Sequence, residues 1–389
     1  MQEHAAEAFA QSGLQGSTRV GIVMATALHG LTIITKTQTR IDVRGQSAEP
    51  KLLTKCMGNL AACQFSIMHQ ITGPSLTVST ACSSGGDAIT MGTMLLRSGM
   101  ADAVVVMAGE AAICPAFLQS LDKVGALSAT GESRPFDVAR NGFVTGEGGG
   151  ALVLETLEHA KARGAKIYAE ILGCANNNDA FHITSPRPGG EGGALCMELA
   201  LEQAGLKPED VDYINTHGTA THMGDAYECA AIHTVFGQHA KELLISSTKS
   251  ATGHLMGAGG ITETIACIQA IREGIIPPTV NYETPDPDCD LDCVPNTARK
   301  ADVRIAMNNA LGFGGQNAMN SFNHYSLGSV LSWLYQYVLG IRREEEHPGF
   351  THFRLEPVIG DLTWAKGSVN SPCGVIESGW KKENGRILY

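Results

Sequence analysis

The stretch SLTVSTACSSGGDAITMGTMLL, residues 75–96, decides the fold. Its apolar and β-branched start, Ser75 to Thr80, predicts a strand, and the run from Ser84 to Leu96 predicts a helix. A second apolar run, Ala103 to Met107, predicts the next strand. Strands that alternate with helices are typical of parallel βαβ units, so this part of the chain indicates an α/β fold.

A similar unit recurs farther along the chain. FAQSGL (9–14) leads into the apolar run Val20 to Ala25, and LEQAGL (201–206) leads into Val211 to Thr216, an offset of 192 positions (201 against 9). Each copy predicts a helix that ends at a C-cap glycine and is followed by a buried strand. We therefore predict a duplicated α/β fold, although such joins also occur in α/β proteins without duplication.

The second copy opens with an apparent strand that the first copy lacks. This strand covers Lys166 to Cys174, and the equivalent residues of the first copy would precede Met1. We therefore predict that the first half of the fold is missing its opening strand.

Composition limits the kinds of function that are plausible. Hydrophobic residues make up 43% of the 389 residues and charged residues 17%, which is typical of a globular protein. The net charge of −11 argues against nucleic acid as the main partner, because phosphate binding needs a basic face. No apolar run approaches the roughly 20 residues that span a bilayer, and no signal peptide is visible. The eleven cysteines show no CxxC pair and no zinc-like spacing, so we expect free thiols in a reducing cytoplasm and no membrane association.

Cys82 is the first candidate for chemistry. It lies between a predicted strand and a predicted helix, where the positive end of the helix dipole stabilises a thiolate. We therefore predict a nucleophile at this position. The alternative is that Cys82, like most cysteines, is a small buried hydrophobic residue.

Two histidines follow predicted strands in the second half. His217 lies in NTHGTAT (215–221), and His254 ends SSTKSATGH (246–254). Ligands of α/β folds bind at the carboxyl ends of parallel strands, where these side chains are expected. A cysteine with two neutral imidazoles favours thioester chemistry, in which one residue attacks and two donate hydrogen bonds to an enolate-like oxygen. Taken singly, each histidine is more often structural than catalytic.

Three further segments favour neither a nucleotide nor a metal site. GEGGG (146–150) precedes a predicted strand, whereas a dinucleotide fingerprint follows one. GFGG (312–315) predicts a tight loop whose backbone approaches a ligand closely. The carboxylates of residues 286–292 predict a solvated loop, with metal binding a poor second interpretation.

Together, these segments resemble the elongating, type II β-ketoacyl-acyl carrier protein synthases over residues 1–318. The matching motifs are TACSSGG (80–86), SRPFDVARNGFVTGEGGGALVLE (133–155), NTHGTATHMGD (215–225), SSTKSATGHLMGAGG (246–260), IPPTVNYETPDPDCDLDCVP (276–295) and ALGFGGQNA (310–318). Both later catalytic positions are histidine, as in the elongating class. The resemblance implies a thiolase-like, duplicated fold of five αβαβα layers.

The resemblance also implies a decarboxylative Claisen condensation in fatty-acid or polyketide chain elongation. Cys82 would carry the acyl chain as a thioester, and His217 and His254 would hold the thioester oxygen of malonyl-acyl carrier protein. The backbone amides of Cys82 and Phe313 would form the oxyanion hole. The reaction needs no cofactor or metal, its partner is the acyl carrier protein, and the family implies a homodimer.

The remaining expected site residues also come from the family motifs. Phe313 would gate the site, and Thr219 and Thr221 would contact the pantetheine arm. Lys249 and Glu263 would form a supporting charged pair close to the histidines.

The chain departs from the family pattern at both ends. We expect the missing opening strand to lie centrally in its sheet, so that its loss leaves two strand edges unpaired. The family also ends on a last strand after the motif at 310–318, whereas this sequence leaves the pattern at Met319. We therefore predict units at 1–155, 156–318 and 319–389.

Residues 319–389 carry all three tryptophans and resemble a C-terminal fragment of bacterial α-L-rhamnosidases. The matching segments are MNSFNHYSLGSVLSWLYQYVLGI (319–341), PGFTHFRLEPVIGDLTWAKGSV (348–369) and SPCGVIESGW (371–380). The pattern predicts an appendage with a helix over Ser326 to Ile341 and strands at His352 to Leu355 and Gly374 to Ser378. The resemblance implies that His324 would contact sugar in an intact enzyme.

Three other interpretations stay open. In the first, the chain is an inactive, chimeric fragment. In the second, it is a glycoside hydrolase that releases rhamnose, and in the third it is a thiolase that acts on coenzyme A thioesters. Hydrolysis is disfavoured because the barrel that supplies the catalytic carboxylates is missing. The thiolase is disfavoured because thiolases pair the nucleophile with a second cysteine.

Overall fold

The computed structural model describes residues 1–323, 338–343, 353–358, 362–371, 374–383 and 386–388. The chain divides into two compact units. The larger unit comprises Met1–Thr156 and Tyr168–His324, and the smaller comprises Leu157–Ile167 and Tyr325–Tyr389. In the described part of the chain, no helix is long and apolar enough to cross a membrane.

The first half of the larger unit alternates helices and strands, as predicted. Its elements are α1 (Gln2–Ser12), β1 (Val20–Ala25), α2 (Leu31–Arg44), α3 (Leu52–Cys56), α4 (Leu60–His69), β2 (Ser75–Val78), α5 (Ser84–Arg97), β3 (Ala103–Glu110), α6 (Pro115–Lys123) and β4 (Gly148–Glu155). Strand β1 is buried along its whole length. Its continuous apolar sequence is typical of a parallel strand that is covered on both faces.

The second half repeats the pattern. After α7 (Leu157–Ala162), which belongs to the smaller unit, the elements are β5 (Glu170–Asn178), α8 (Glu191–Ala204), β6 (Tyr213–Asn215), α9 (His222–Phe236), β7 (Leu244–Ser246), α10 (Lys249–Thr252), α11 (Gly259–Glu273), β8 (Ile275–Ile276), β9 (Arg299–Lys300), β10 (Ile305–Gly312) and β11 (Gln316–Asn323). The predicted helix–glycine–strand repeat corresponds to α1 with β1 and to α8 with β6. Gly13 and Gly205 cap the two helices in the left-handed conformation.

The two main sheets have the same strand order over four strands. One is β2-β1-β3-β4 and the other is β7-β6-β10-β11, with β5 added beyond β11. In both sheets the first three strands are parallel and the fourth is antiparallel. Because order and direction agree, the predicted duplication of the α/β fold is confirmed.

Helices α5 and α11 pack against each other between the two sheets. Helices α1 and α4 cover the outer face of the first sheet, and α8 packs on the outer face of the second with α9 beside it. Gly85 permits the close approach at the centre, since a Cβ there would lie 2.7 Å from the backbone nitrogen of Ile261. The result is the predicted stack of five layers.

The expected position of the missing opening strand is wrong. Its second-half equivalent, β5, lies at the edge of its sheet and pairs only with β11. By symmetry, the absence of an equivalent strand makes β4 an edge of the described first sheet and leaves no internal strand unpaired. The hydrogen-bond cost is that of an ordinary edge strand and does not interrupt the core.

The predicted boundary at 318/319 falls inside strand β11. This strand continues to Asn323 and pairs with β10 and β5 on its two sides. Met319 and Phe322 are buried in the core of the larger unit. The segment therefore supplies the last strand of the larger unit, which the sequence pattern appeared to lack. It can do so because its side chains are buried as a strand in this position requires.

The described part of the smaller unit is built mainly from antiparallel strands. They are β12 (Ile341–Arg343), β13 (Phe353–Leu355), β14 (Trp364–Ser371), β15 (Gly374–Glu383) and β16 (Arg386–Leu388). Strands β12 and β13 form one pair, and β14-β15-β16 form a sheet. Trp380 is buried and donates its indole N–H to the carbonyl of Val338 at 2.7 Å. The helix predicted over Ser326 to Ile341 lies, as far as residue 337, outside the described residues, and so does His324. Ile341 is described, and it begins strand β12.

Candidate active site

A cavity of about 660 Å³ opens in the larger unit at the ends of its strands. Its lining includes the predicted site residues Cys82, His217, Thr219, Thr221, His254 and Phe313. Much of the remaining wall is apolar, with contributions from Leu28, Phe117, Leu121, Met197, Met223, Tyr227, Ala231, Leu311 and Met319. Lys249 and Glu263 are buried outside this lining. The cavity therefore combines a few polar groups with a mostly apolar wall, as expected of a site for an acyl chain.

Cys82 sits in a short 3₁₀ turn, Ala81–Ser83, between β2 and α5. The preceding Ala81 has φ 53°, a left-handed conformation that alanine rarely adopts. The backbone of Gly312 passes close to this turn, and a Cβ on it would lie 2.7 Å from Thr80 O and 3.3 Å from Cys82 N. This approach places the backbone N–H of Phe313 close enough to the Cys82 thiol to act toward a lower thiol pKa.

The sequence predicts that the helix end beside Cys82 stabilises a thiolate, whereas burial of the thiol acts in the opposite direction. Burial raises the pKa of the thiol to about 11, although the Lys249 cation and the Phe313 N–H act in the opposite direction. Desolvation thus outweighs the two contributions that favour the thiolate. Only about 10⁻⁴ of the thiol is ionised at neutral pH, so deprotonation has to accompany attack.

The two histidines come from different loops and meet at the cavity. His217 follows β6, and its ring lies 5.5 Å from that of His254 at an interplanar angle of 87°. The backbone N–H of His254 donates to Val144 O at 2.7 Å, and Phe143 packs edge-on to its ring at 5.0 Å. The structure therefore fixes the His254 backbone through the segment that follows the SRPFDVAR motif.

Both imidazoles are neutral at physiological pH. Burial, the Lys249 cation and His254 hold the pKa of His217 well below its ordinary value. Burial and the same cation do so for His254. Lys249 is itself paired with Glu263, with 2.5 Å between Nζ and Oε1, and both side chains are buried. One buried ion pair thus places a positive charge near the cysteine and both histidines.

Buried carboxylates that the sequence analysis did not identify hold the histidine loop. Glu228 accepts the backbone N–H groups of His217 and Gly218 at 2.8 Å each. Asp225 accepts the N–H of Ala220 at 3.1 Å. Both acids lie in α9, three residues apart, and Asp225 ends the NTHGTATHMGD motif. Their spacing on one helix face directly after the loop is the signal that could have identified them.

The hydroxyl oxygens of Thr219 and Thr221 lie 3.2 Å apart in this loop, and both residues line the cavity. Within the described residues, no group of three metal-binding side chains is positioned to hold a metal ion.

Alkylation of Cys82 is expected to depend steeply on pH. Because iodoacetamide reacts with the thiolate and burial raises the thiol pKa to about 11, the rate should rise about tenfold per pH unit between about pH 7 and pH 10. Peptide mass spectrometry of timed samples measures the rate at Cys82 alone. An alkylation rate that stopped rising below about pH 9 would contradict the raised pKa of the Cys82 thiol.

Replacing Gly312 by alanine is expected to damage the site. The new Cβ would lie 2.7 Å from Thr80 O and 3.2 Å from Ser83 N, so the cysteine turn or strand β10 has to move. We expect a stability loss of about 1–3 kcal/mol, measured by chemical denaturation, and a loss of Cys82 acylation. Gly58→Ala is the control, since its Cβ would meet only Thr77 Cγ2 at 3.7 Å. Equal behaviour of the two variants would refute the close-approach argument.

Comparison with known proteins agrees with this geometry. The family model "Beta-ketoacyl synthase, N-terminal domain" matches residues 1–160, and "Beta-ketoacyl synthase, C-terminal domain" matches residues 168–283. A separate model, "Bacterial alpha-L-rhamnosidase C-terminal domain", matches residues 340–389. The rhamnosidase-like segment predicted from sequence is therefore also found.

Curated relatives and solved structures extend the match. The 3-oxoacyl-[acyl-carrier-protein] synthase 2 of Rhizobium meliloti is 43% identical over 313 residues, covering 79% of this chain and 74% of the relative. That of Staphylococcus aureus is 41% identical over 312 residues, covering 79% and 75%.

Solved ketosynthases share the fold. A type II polyketide ketosynthase in complex with its acyl carrier protein and bound to a hexaketide is 33% identical, with a TM-score of 0.78 and 82% of each chain covered. A β-ketoacyl synthase from Burkholderia phymatum is 31% identical, with a TM-score of 0.77 and coverage of 83% and 80%. With this sequence identity and fold, and with the cysteine and two histidines in one cavity, the chain belongs to the β-ketoacyl synthase family.

Proposed function

We propose that the protein catalyses decarboxylative condensation of an acyl chain with a malonyl unit, both delivered on acyl carrier protein. The observation that carries the proposal is the meeting of Cys82, His217 and His254 in one largely apolar cavity. The relatives above support it, because each is named a 3-oxoacyl-[acyl-carrier-protein] synthase.

In the first half-reaction, the Cys82 sulfur attacks the thioester carbonyl of acyl-acyl carrier protein. A bond forms from Sγ to the acyl carbon, the carrier thiol leaves, and the Cys82 proton passes to that thiol. The backbone N–H groups of Cys82 and Phe313 stabilise the oxyanion of the tetrahedral intermediate. The Phe313 N–H already faces the thiol in the resting site.

In the second half-reaction, malonyl-acyl carrier protein loses carbon dioxide. The electron pair of the broken C–C bond forms an enolate, whose oxygen accepts hydrogen bonds from His217 and His254. The enolate carbon then attacks the acyl-Cys82 carbonyl, β-ketoacyl-acyl carrier protein leaves, and the Cys82 thiolate takes up a proton. Each imidazole is held neutral by its surroundings and has one N–H to donate to the enolate oxygen.

The other predicted site residues have supporting roles. Phe313 is 42% exposed at the cavity and gates entry of the acyl chain. Thr219 and Thr221 contact the pantetheine arm. Burial keeps the histidines neutral, and the Lys249 cation of the Lys249–Glu263 pair acts in the same direction.

The proposed assembly is a homodimer in the cytoplasm. Leu76, which is 42% exposed, lies in β2, an edge strand of its sheet. Ile67 and Met68, which are 72% and 59% exposed, lie in the preceding helix α4. An edge strand with apolar neighbours can pair with its copy across a twofold axis. Light scattering should give twice the 41.0 kDa chain mass, and Leu76→Glu should lower it. The described cysteines are free thiols, which supports a reducing compartment.

The proposal is tested by incubating the full chain with acyl- and malonyl-acyl carrier protein. The expected product is a β-ketoacyl-acyl carrier protein two carbons longer than the primer, formed with release of carbon dioxide. A chain that melts cooperatively yet forms no product would overturn the proposal in favour of an inactive fold. An aryl rhamnoside serves as the control substrate, from which we expect no release of rhamnose.

A further inference from the structure

Asp87 is a buried acid close to the nucleophile that the mechanism above does not use. It lies in the first turns of α5, five positions after Cys82, and is 6% exposed. On one oxygen, its carboxylate accepts a hydrogen bond from Thr80 Oγ1 at 2.5 Å. The Ser83 hydroxyl lies 3.1 Å from the same oxygen and shares its single proton between that oxygen and Thr80 O at 2.8 Å. The other oxygen accepts from Asn176 Nδ2 at 3.0 Å. All three donors are neutral side chains.

The positions of these donors give the contact its meaning. Thr80 and Ser83 stand on the two sides of the Ala81–Cys82 peptide, so a single carboxylate oxygen holds both ends of the nucleophile turn. Asn176 belongs to β5, a strand of the opposite half of the fold. The carboxylate thus ties the cysteine turn to the half that supplies the histidines.

The turn needs such a restraint. Ala81 adopts φ 53°, a left-handed conformation that is unfavourable for a residue with a Cβ. Ser84 Oγ adds local support by accepting from Thr80 N at 2.9 Å and donating to Ala81 O at 2.6 Å. A carboxylate that served only the helix dipole would have no reason to bond a residue before the turn or a strand of the other half.

We propose that Asp87 is a positioning residue for Cys82, which holds the strained turn from both sides and fixes it relative to the second half. The inference rests on the proposed function, since the positioned atom is the Cys82 sulfur that takes the acyl chain. It predicts that Asp87 governs acylation and does not govern decarboxylation at the histidines.

The test compares two half-reactions in the same variants. Cys82 acylation by acyl-acyl carrier protein is followed by intact mass, and carbon dioxide release from malonyl-acyl carrier protein without primer is followed separately. Asp87→Asn and the isosteric Thr80→Val should each slow acylation about tenfold and leave decarboxylation within about twofold. Thr80→Ser keeps the hydroxyl and should restore acylation. Asp302→Asn, at an exposed position, is the matched control.

A double-mutant cycle sharpens the result. If Thr80 and Asp87 act through their shared hydrogen bond, Asp87→Asn with Thr80→Val should be no slower than the slower single variant. Equal acylation rates in wild type and Asp87→Asn would overturn the inference about Asp87 and leave the proposed function intact. A parallel loss of both half-reactions would indicate misfolding and would also overturn that inference. A wild-type chain that performs neither half-reaction would overturn the proposed function, and the inference with it.

Discussion

Cys82→Ala is expected to abolish condensation, lowering the rate of β-ketoacyl product formation by about 10³-fold or more. The variant removes the only atom that can form the acyl thioester in the proposed reaction. The alanine fits the space of the thiol, so the fold should persist. Product is measured by mass spectrometry of the carrier protein after mixing with acyl- and malonyl-acyl carrier protein.

The control for this variant is Cys63→Ala. Cys63 is a half-buried thiol in α4 outside the cavity lining, and its loss should leave the rate within about twofold. If Cys82→Ala retained more than about a tenth of the wild-type rate, the nucleophile would have to be another residue. If Cys63→Ala were equally inactive, loss of activity would report on general disruption.

Replacing either histidine is expected to separate the two half-reactions. His217→Ala and His254→Ala each remove one hydrogen-bond donor to the developing enolate, so each should slow decarboxylation by about 10²–10³-fold. Acylation of Cys82 should continue, because attack on the first thioester does not use the enolate site. Stopped reactions analysed by intact mass should therefore show acyl-enzyme that accumulates without product.

The matched control is His233→Ala. His233 lies on the outer part of α9 and pairs with Asp290 at 2.6 Å, outside the cavity lining. Its replacement should change neither half-reaction by more than about twofold. Loss of acylation together with decarboxylation in His217→Ala or His254→Ala would contradict the division of roles, as would normal decarboxylation in both.

The sequence predicts the duplicated architecture well because duplication is written in local patterns. Gly13 and Gly205 end equivalent helices, and the apolar runs that follow them become β1 and β6 at equivalent places in the two sheets. Continuous apolar strands and glycine caps depend on neighbouring residues, so a single sequence carries them.

The order of strands in a sheet does not follow from local sequence patterns, and the central position that we expected for the opening strand was wrong. Nothing in Lys166 to Cys174 states whether the strand lies inside a sheet or at its edge, and only the pairing of β5 with β11 places it at the edge. Met319 to Asn323 were assigned to another module because their sequence resembles a different family. Their pairing and burial in β11 show that they form the last strand of the larger unit.

The site was predictable to the extent that it lies in sequence motifs. That Cys82, His217 and His254 lie in one cavity could be expected, because each follows a strand in a loop with glycine or small residues. The raised pKa of Cys82 was not found, because desolvation depends on atoms brought together by the fold. Asp87 and Glu228 were missed for a related reason, since an acid in an amphipathic helix looks like a surface residue until its partners are known.

The central claim is that Cys82 accepts an acyl chain from acyl carrier protein in a site assembled by both halves. The direct measurement is intact-mass spectrometry of the purified chain after incubation with acyl-acyl carrier protein, followed by peptide mapping. We expect a mass gain of one acyl group that maps to the peptide containing Cys82 and is absent from Cys82→Ala. A folded chain that gains no mass, or an acyl group on another residue, would contradict it.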